Sequence, residues 1–233
     1  MSLGVEGFYD NYKEPDPGVR VDTDTMYGSL TAGYAWGDDT IAAVDFRGSV
    51  GSANYSSVSG TSEDNPQFEA EARVRIGYRE SFMGGLAMPY IGLGGRAYYD
   101  HSQNTVTTLG YIGYDRKIGQ VYIPIGVDMS FPSGSWTIKP TLEYDQLIYG
   151  RVESDLGSIP GYTNIANEQH NGYGLRASIM FARQWGSRIW EIGPFIRYWD
   201  IPESDVTFDA ANRGWIEPDN QRIQSGITIK MLF

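Results

Sequence analysis

The segment QFEAEARVRIGYRE, Gln67 to Glu80, alternates without a break. Phe68, Ala70, Ala72, Val74, Ile76 and Tyr78 fall on one face, and Glu69, Glu71, Arg73, Arg75 and Arg79, with Gly77, fall on the other. A period of two is the mark of a β-strand, here with one apolar and one charged face. Two kinds of protein can use it. A soluble sheet turns the apolar face to a core and the charges to water. A membrane barrel turns the apolar face to lipid and encloses the charges.

Turn chemistry and alternation divide the chain into ten strand candidates, at 3–13, 26–36, 40–55, 67–82, 88–103, 116–131, 136–152, 171–184, 188–201 and 221–233. They exceed the five or six residues usual in globular sheets and suit the roughly 9–11 residues that a tilted strand needs to cross lipid. The connections sort into two kinds. Residues 37–39, 83–87, 132–135 and 185–187 are tight and glycine-bearing, whereas 14–25, 56–66, 103–115, 153–169 and 202–220 are long and polar. Long and short alternate along the chain, which puts all long loops at one end and all short turns at the other. That is the plan of an outer-membrane barrel, with long extracellular loops and short periplasmic turns. An Arg at the bilayer midplane of such a barrel costs about 2–4 kcal/mol, so the charged face must point inward. The expected fold is a single domain, 1–233, forming a ten-stranded antiparallel up-and-down transmembrane β-barrel.

Other features agree. Trp36, Phe82, Trp136 and Trp185 fall at short-turn ends of strands, and Tyr9, Tyr55, Tyr99 and Tyr198 near long-loop ends. Two such belts suit the two membrane interfaces. The final strand, SGITIKMLF, stops at Phe233 and resembles the terminal signature by which bacterial outer-membrane barrels are recognised for assembly. The start, MSLGVEGFYD, has neither a basic opening nor an apolar stretch. An exported chain is therefore expected here in mature form, with MSL an added start. Cysteine is absent, which excludes a disulfide scaffold, a thiolate metal site and a cysteine nucleophile. A net charge of −11 argues against a nucleic-acid partner, which needs clustered Lys and Arg.

Extending the register inward gives Asp45, Arg47, Arg96, Asp100, Tyr122, Asp128, Lys139, Glu143, Asp145, Arg151, Arg176, Glu191, Arg197, Arg222 and Lys230, besides Arg73 and Arg75. Glycines at 33, 77, 92, 94, 126, 174 and 193 share that register and leave room beside long arginines. Ten strands enclose a narrow lumen, between the eight that side chains fill and the sixteen of an open porin. The charges serve either as mutual counter-ions holding the cross-section or as an electrostatic filter.

Catalytic signals are weak, and no catalytic residue, metal site or cofactor is expected. Ten-stranded outer-membrane proteases of the omptin kind use paired aspartates and an Asp–His couple, but Asp100 and His101 are adjacent and so point to opposite faces. Lipid A deacylases use a His and a Ser two apart, whereas His101 and Ser102 are neighbours. The other histidine, His170, lies near a long loop. The acidic loop segments lack the spacing of an EF-hand.

The segments PYIGLGGRAYYD, GYDRKIGQVYIPIGVDM, TLEYDQLIYGRVESDL, NGYGLRAS, GPFIRYWDIPESD and EPDNQRIQSGITIKMLF resemble a group of largely uncharacterised proteobacterial outer-membrane β-barrel proteins, over roughly residues 89–233. The resemblance implies the barrel fold and a Gram-negative outer membrane, with outer-membrane lipids and lipopolysaccharide as surroundings. It implies no site residues. Two functions follow as expectations. The first is a small porin-like pore for small solutes or ions, with a lumen lined by Arg73, Arg75, Arg96, Glu143, Asp145, Arg176 and Arg197. The second is a closed structural or binding barrel whose long loops contact a partner or lipopolysaccharide, with Tyr162 and Trp215 as loop contacts. A soluble carrier barrel is a third and more distant reading.

Overall fold

The computed structural model describes residues 1–15 and 20–233. Fourteen strands form in these residues: β1 (Ser2–Glu14), β2 (Val21–Trp36), β3 (Thr40–Ser57), β4 (Gly60–Tyr78), β5 (Glu80–Phe82), β6 (Gly85–Asp100), β7 (Arg116–Ser133), β8 (Trp136–Ser154), β9 (Ile165–Gln169), β10 (Tyr173–Trp185), β11 (Arg188–Ile201), β12 (Thr207–Phe208), β13 (Gly214–Trp215) and β14 (Asn220–Leu232). A short 3₁₀ turn covers Leu156–Ser158. All neighbours pair antiparallel, in the order β10-β11-β14-β1-β2-β3-β4-β6-β7-β8, and β10 returns to β8 to close the ring. The short β5 extends the β4 stave against β6, and β9 extends the β10 stave against β8. Ten staves therefore enclose one lumen, and among the described residues the ring itself has no open edge. The first and last strands are partners, with Ser2 opposite Leu232 and the Phe233 amide donating to the Met1 carbonyl at 2.9 Å.

The period of two decides what faces where. On β4, Phe68, Ala70, Ala72, Val74 and Ile76 are exposed on the outer wall, while Glu69 and Glu71 are buried and Arg73 and Arg75 half-buried inside. The same inversion holds around the ring, with Leu30, Phe46, Leu93, Ile125, Leu142, Ile179, Ile192 and Ile227 outside. An apolar outer wall over a polar interior is stable only against lipid. Trp36, Phe82, Trp136 and Trp185 ring the short-turn end on the outside, and Tyr9 is exposed toward the other end. Tyr55 departs from the expected belt. It continues the odd-numbered inner register of β3, after Asp45, Arg47 and Ser49, and lines a small upper cavity with Tyr98 and Arg116.

The short turns lie where the sequence places them. Two of the long loops are shorter than expected. The polar stretch 56–66 is mostly strand, a hairpin turning at Val58 and Ser59 and standing above the lipid. Beyond the membrane both faces of a hairpin meet water, so a polar strand needs no apolar face. The expected loop 14–25 narrows to 15–20, of which 16–19 lie outside the described residues. The stretch 153–169 ends in β9, and 202–220 contains the β12–β13 hairpin.

Arg151 is the one inward assignment that fails. Tyr122 pairs with Leu147 and Val121 with Tyr149, so Ile148 is an extra residue on β8. Such a bulge reverses the facing of everything beyond it. Glu143, Asp145 and Leu147 therefore point in, Gly150 and Val152 also point in, and Arg151 is exposed beside Glu153 and Glu168.

Candidate functional site

The candidate site is the lumen, crossed at mid-height by a network of arginines and carboxylates. Its hub is Glu71 on β4. Arg176 of β10 binds it in a fork, Nη2 to Oε1 at 2.6 Å and Nη1 to Oε2 at 3.0 Å. The Tyr122 hydroxyl donates to the same carboxylate at 2.6 Å, and Arg47 stands 3.3 Å away. Arg176 also donates through Nε to Asp145 at 2.6 Å and lies 3.1 Å from Glu143. β4 and β10 are four staves apart one way round the ring and six the other. The Glu71–Arg176 contact therefore spans the lumen and does not run along its wall.

Further contacts widen the plug. Arg73 donates to Glu143 at 2.7 Å, and the Tyr90 hydroxyl donates to the other oxygen of that carboxylate at 2.7 Å. Arg47 reaches Glu69 at 2.6 Å, Arg197 reaches Glu6 at 2.8 Å, and Arg222 reaches Asp10 at 2.8 Å. Gln224 ties Asp10 to Glu69, donating at 2.8 and 2.9 Å. Arg75 bridges Asp45 and Asp128 at 2.9 and 3.0 Å on the short-turn side. Arg96 donates to Gln120 and stacks its guanidinium 3.9 Å from the Trp199 ring centre. Charge-assisted bonds of this kind are strong once water is excluded, and a partner left alone there is costly.

Aromatic rings fill the gaps between the charges. Tyr122 packs edge-on to Trp199 at 5.2 Å, and Phe8 stacks on Tyr27 at 4.9 Å. Gly94 makes the first arrangement possible, because a Cβ there would lie 2.2 Å from the Tyr122 ring. Tyr122, Asp145, Phe8 and Gln224 are each 1% exposed or less, so the mid-section is closed to bulk solvent. Nearer the loops, Arg116 clasps Glu14 at 3.4 Å and also binds Glu217 of the 202–219 connection. Burial pushes the Glu217 carboxyl up, and the Arg116 guanidinium draws it back only in part.

Below the plug the lumen widens into a vestibule of about 630 Å³ toward the short-turn end. Of the residues named from sequence, Arg73, Arg75, Glu143, Arg176 and Arg197 line it, and Asp145 and Arg96 stand in or above the plug. Glu6, Asp10 and Gln224, which the sequence reading gave no role, complete the network together with Glu69, Glu71 and Arg47, which it placed on the inward face without naming them as pore-lining. The signal for the first two was present, since VEGFYD alternates with Glu6, Phe8 and Asp10 on one face.

The loop aromatics Tyr162 and Trp215 meet each other at 5.9 Å, edge to face. Arg213 lies 4.5 Å from the Tyr162 ring centre, donates to Asp209 at 2.6 Å and reaches the Gly161 carbonyl at 2.9 Å. Asp209 also accepts from the Arg213 and Ala211 amides, both at 2.9 Å, and from the Trp215 indole at 3.2 Å. Desolvation pushes its carboxyl up, but these donors outweigh it and hold the group at about 2. The β12–β13 hairpin is pinned from below by Asn167, whose amide nitrogen donates to the Trp215 and Asp205 carbonyls and to the Thr207 hydroxyl oxygen. Val206, Phe208 and Ile216 remain exposed.

At the rim, His101 Nδ1 lies 3.1 Å from Asp115, and the Tyr99 hydroxyl donates to Asp115 at 2.5 Å. Ser102 gives its hydroxyl to Asp100 at 2.7 Å. Among the described residues no group of three or more His, Asp or Glu side chains is placed to hold a metal ion.

No protein-family model matches the chain, and no curated protein matches it in sequence. Solved structures do match. The outer membrane protease OmpT from Escherichia coli superposes with a TM-score of 0.58 at 8% identity, covering 100% of this chain and 96% of that one. The translocator domain of the autotransporter NalP from Neisseria meningitidis gives 0.42 at 12% identity, with 100% and 89% covered. The outer membrane phospholipase A from Escherichia coli gives 0.33 at 7%, with 96% and 89% covered. The likeness to OmpT is one of fold: a ten-stranded, closed, antiparallel barrel of the bacterial outer membrane.

Proposed function

We propose that this integral outer-membrane barrel is closed at rest, acts through its extracellular loop face, and carries no catalytic centre. The observation behind the proposal is the Glu71–Arg176 fork, which joins nearly opposite walls in a section closed by Tyr122, Trp199 and Phe8. A hydrated ion would have to break charge-assisted bonds that no water replaces. The loop face has the other half of what such a role needs: a hairpin held by Asp209 and Asn167 and presenting Val206, Phe208 and Ile216. Rigid exposed apolar groups on a fixed frame are what a protein partner or a lipopolysaccharide surface can grip. The non-enzymatic reading rests on Ser102, whose hydroxyl is engaged by Asp100 and not aligned on His101. An Asp–His couple does form at the rim, between His101 and Asp115, and equal peptide cleavage by the wild type and His101→Ala would leave it without a catalytic role.

Planar-bilayer recordings of the refolded barrel test the closed state, with heat-shifted gel mobility as the folding control. Silence at moderate voltage supports it. Discrete steps whose ion selectivity changes in Arg75→Gln and Arg176→Gln would replace it with the porin-like reading, which the open vestibule favours. Deleting residues 206–216 should abolish partner capture and leave the barrel folded.

A further inference from the structure

We propose that the vestibule is a binding site for a small organic anion, which enters from the periplasmic side and is held through a carboxylate or phosphate group on Lys230. The inference concerns the end of the molecule opposite the loop face and does not depend on how that face is used.

At about 630 Å³ the vestibule lies within the range of small-molecule sites, and it ends blindly at the plug, so an occupant is held and not passed on. Its wall carries eight basic side chains and six carboxylates in a chain whose net charge is −11. Most of the cations are already matched. Arg197 takes Glu6, Lys139 takes Glu191, and Arg75 takes Asp45 and Asp128. Lys230 sits among these same carboxylates, opposite Glu191 in the β11–β14 register, and lines the vestibule. No carboxylate lies within 4.0 Å of its amine among the described residues. An ammonium in a half-buried wall with its neighbouring carboxylates committed elsewhere is a site for a mobile counter-ion.

The backbone is shaped to keep the amine there. Gly4 is the β1 partner of Lys230, and a Cβ at that position would meet Lys230 Cγ at 2.7 Å and the Ile229 carbonyl oxygen at 2.6 Å. The bare glycine leaves room for the lysine stem beside β1, on the wall of the vestibule. Ile41, Ala43, Ala87 and Met180 complete the wall and are buried, which suits the carbon skeleton of an organic anion better than a bare inorganic ion.

Isothermal titration of citrate, and separately of inorganic phosphate, into the folded barrel in phospholipid-free maltoside micelles tests the proposal. Any signal there belongs to the soluble anion and not to a lipid headgroup. Saturable one-to-one binding is expected, tighter for citrate. It should weaken at least tenfold in Lys230→Met, persist in Lys230→Arg and be untouched by Lys117→Met on the outer wall. In the wild-type protein citrate should also shield Lys230, and not Lys117, from acetic anhydride, read by mass spectrometry. Absence of saturable binding in the folded wild type, equal binding in Lys230→Met, or equal acetylation of both lysines with and without citrate would each overturn the assignment. None of these results bears on whether the plug conducts.

Discussion

Two parts of the molecule use the same components to different effect. In the mid-lumen, Arg176 joins Glu71 and Asp145 and lies beside Tyr122 and Trp199. In the extracellular hairpin, Arg213 joins Asp209 and lies beside Tyr162 and Trp215. The Arg176 side chain is 9% exposed and that of Arg213 is 40% exposed. Water is the difference. Around Arg176 each lost partner leaves a buried charge, whereas loss of Asp209 leaves Arg213 open to solvent. The first cluster is therefore part of what keeps the barrel folded, and the second sets the shape of one loop.

The largest expected effect breaks the first cluster. Glu71→Ala takes one carboxylate from Arg176 and from Arg47, which keep Asp145 and Glu69, and the acceptor from the Tyr122 hydroxyl, and loss of one partner from a buried ion pair costs about 3–5 kcal/mol. Urea titration followed by heat-shifted gel mobility reads this directly. The triple variant Glu71→Leu/Asp145→Leu/Arg176→Met, which also removes the carboxylate that Arg176 holds on the other side, should recover much of the loss, because apolar groups of similar volume replace buried ion pairs at little cost. No recovery would mean that the fork contributes more than charge balance.

A smaller effect probes the packing around the same hub. Gly94→Ala drives a methyl into the Tyr122 ring and should cost about 1–3 kcal/mol by overpacking. Gly48→Ala, on the outer wall with no heavy atom within 4 Å of the added carbon, should leave the same unfolding midpoint unchanged. A matching loss in both would point to backbone conformation as the cause.

The smallest effect belongs to the hairpin. Asp209→Asn should leave the unfolding midpoint of the barrel where it is and expose the 202–219 loop to protease. The pH dependence has a definite sign. The Asp209 carboxyl is lowered from 3.8 to about 2, so its contribution to the hairpin is full above about pH 4 and is lost as the pH falls through 2. Pepsin cleavage at Phe208 should rise between pH 4 and 2 while the barrel stays folded. Cleavage unchanged over that window would remove Asp209 as the hairpin's clamp.

What could be read in advance follows from the range over which each rule acts. Alternation is local, so Glu69 to Arg75 declared their faces from fourteen letters, and the inside-out barrel followed from them. The pairing of Glu71 with Arg176 spans 105 positions and needs the closed ring before it can be seen. Polar composition misled at 56–66, because a strand in water on both sides looks like a loop. Tyr162 and Trp215 were legible as loop aromatics, but their mutual contact through Arg213 was not, since it depends on how two loops fold over each other.

Ile148 carries a consequence of its own. One surplus residue divides β8 into two reading frames, so that the same run of side chains is written for lipid and lumen below it and for lumen and water above it. Drawn into the ladder, it would fuse the frames. Arg151 and Glu153 would then be turned into the lumen, and Gly150 and Val152 out of it, whereas its deletion would close the bulge and leave both halves facing as they do. Loop lengths in this barrel can change with little effect on the staves, but a strand can gain or lose residues only in pairs, or else with a bulge to absorb the odd one.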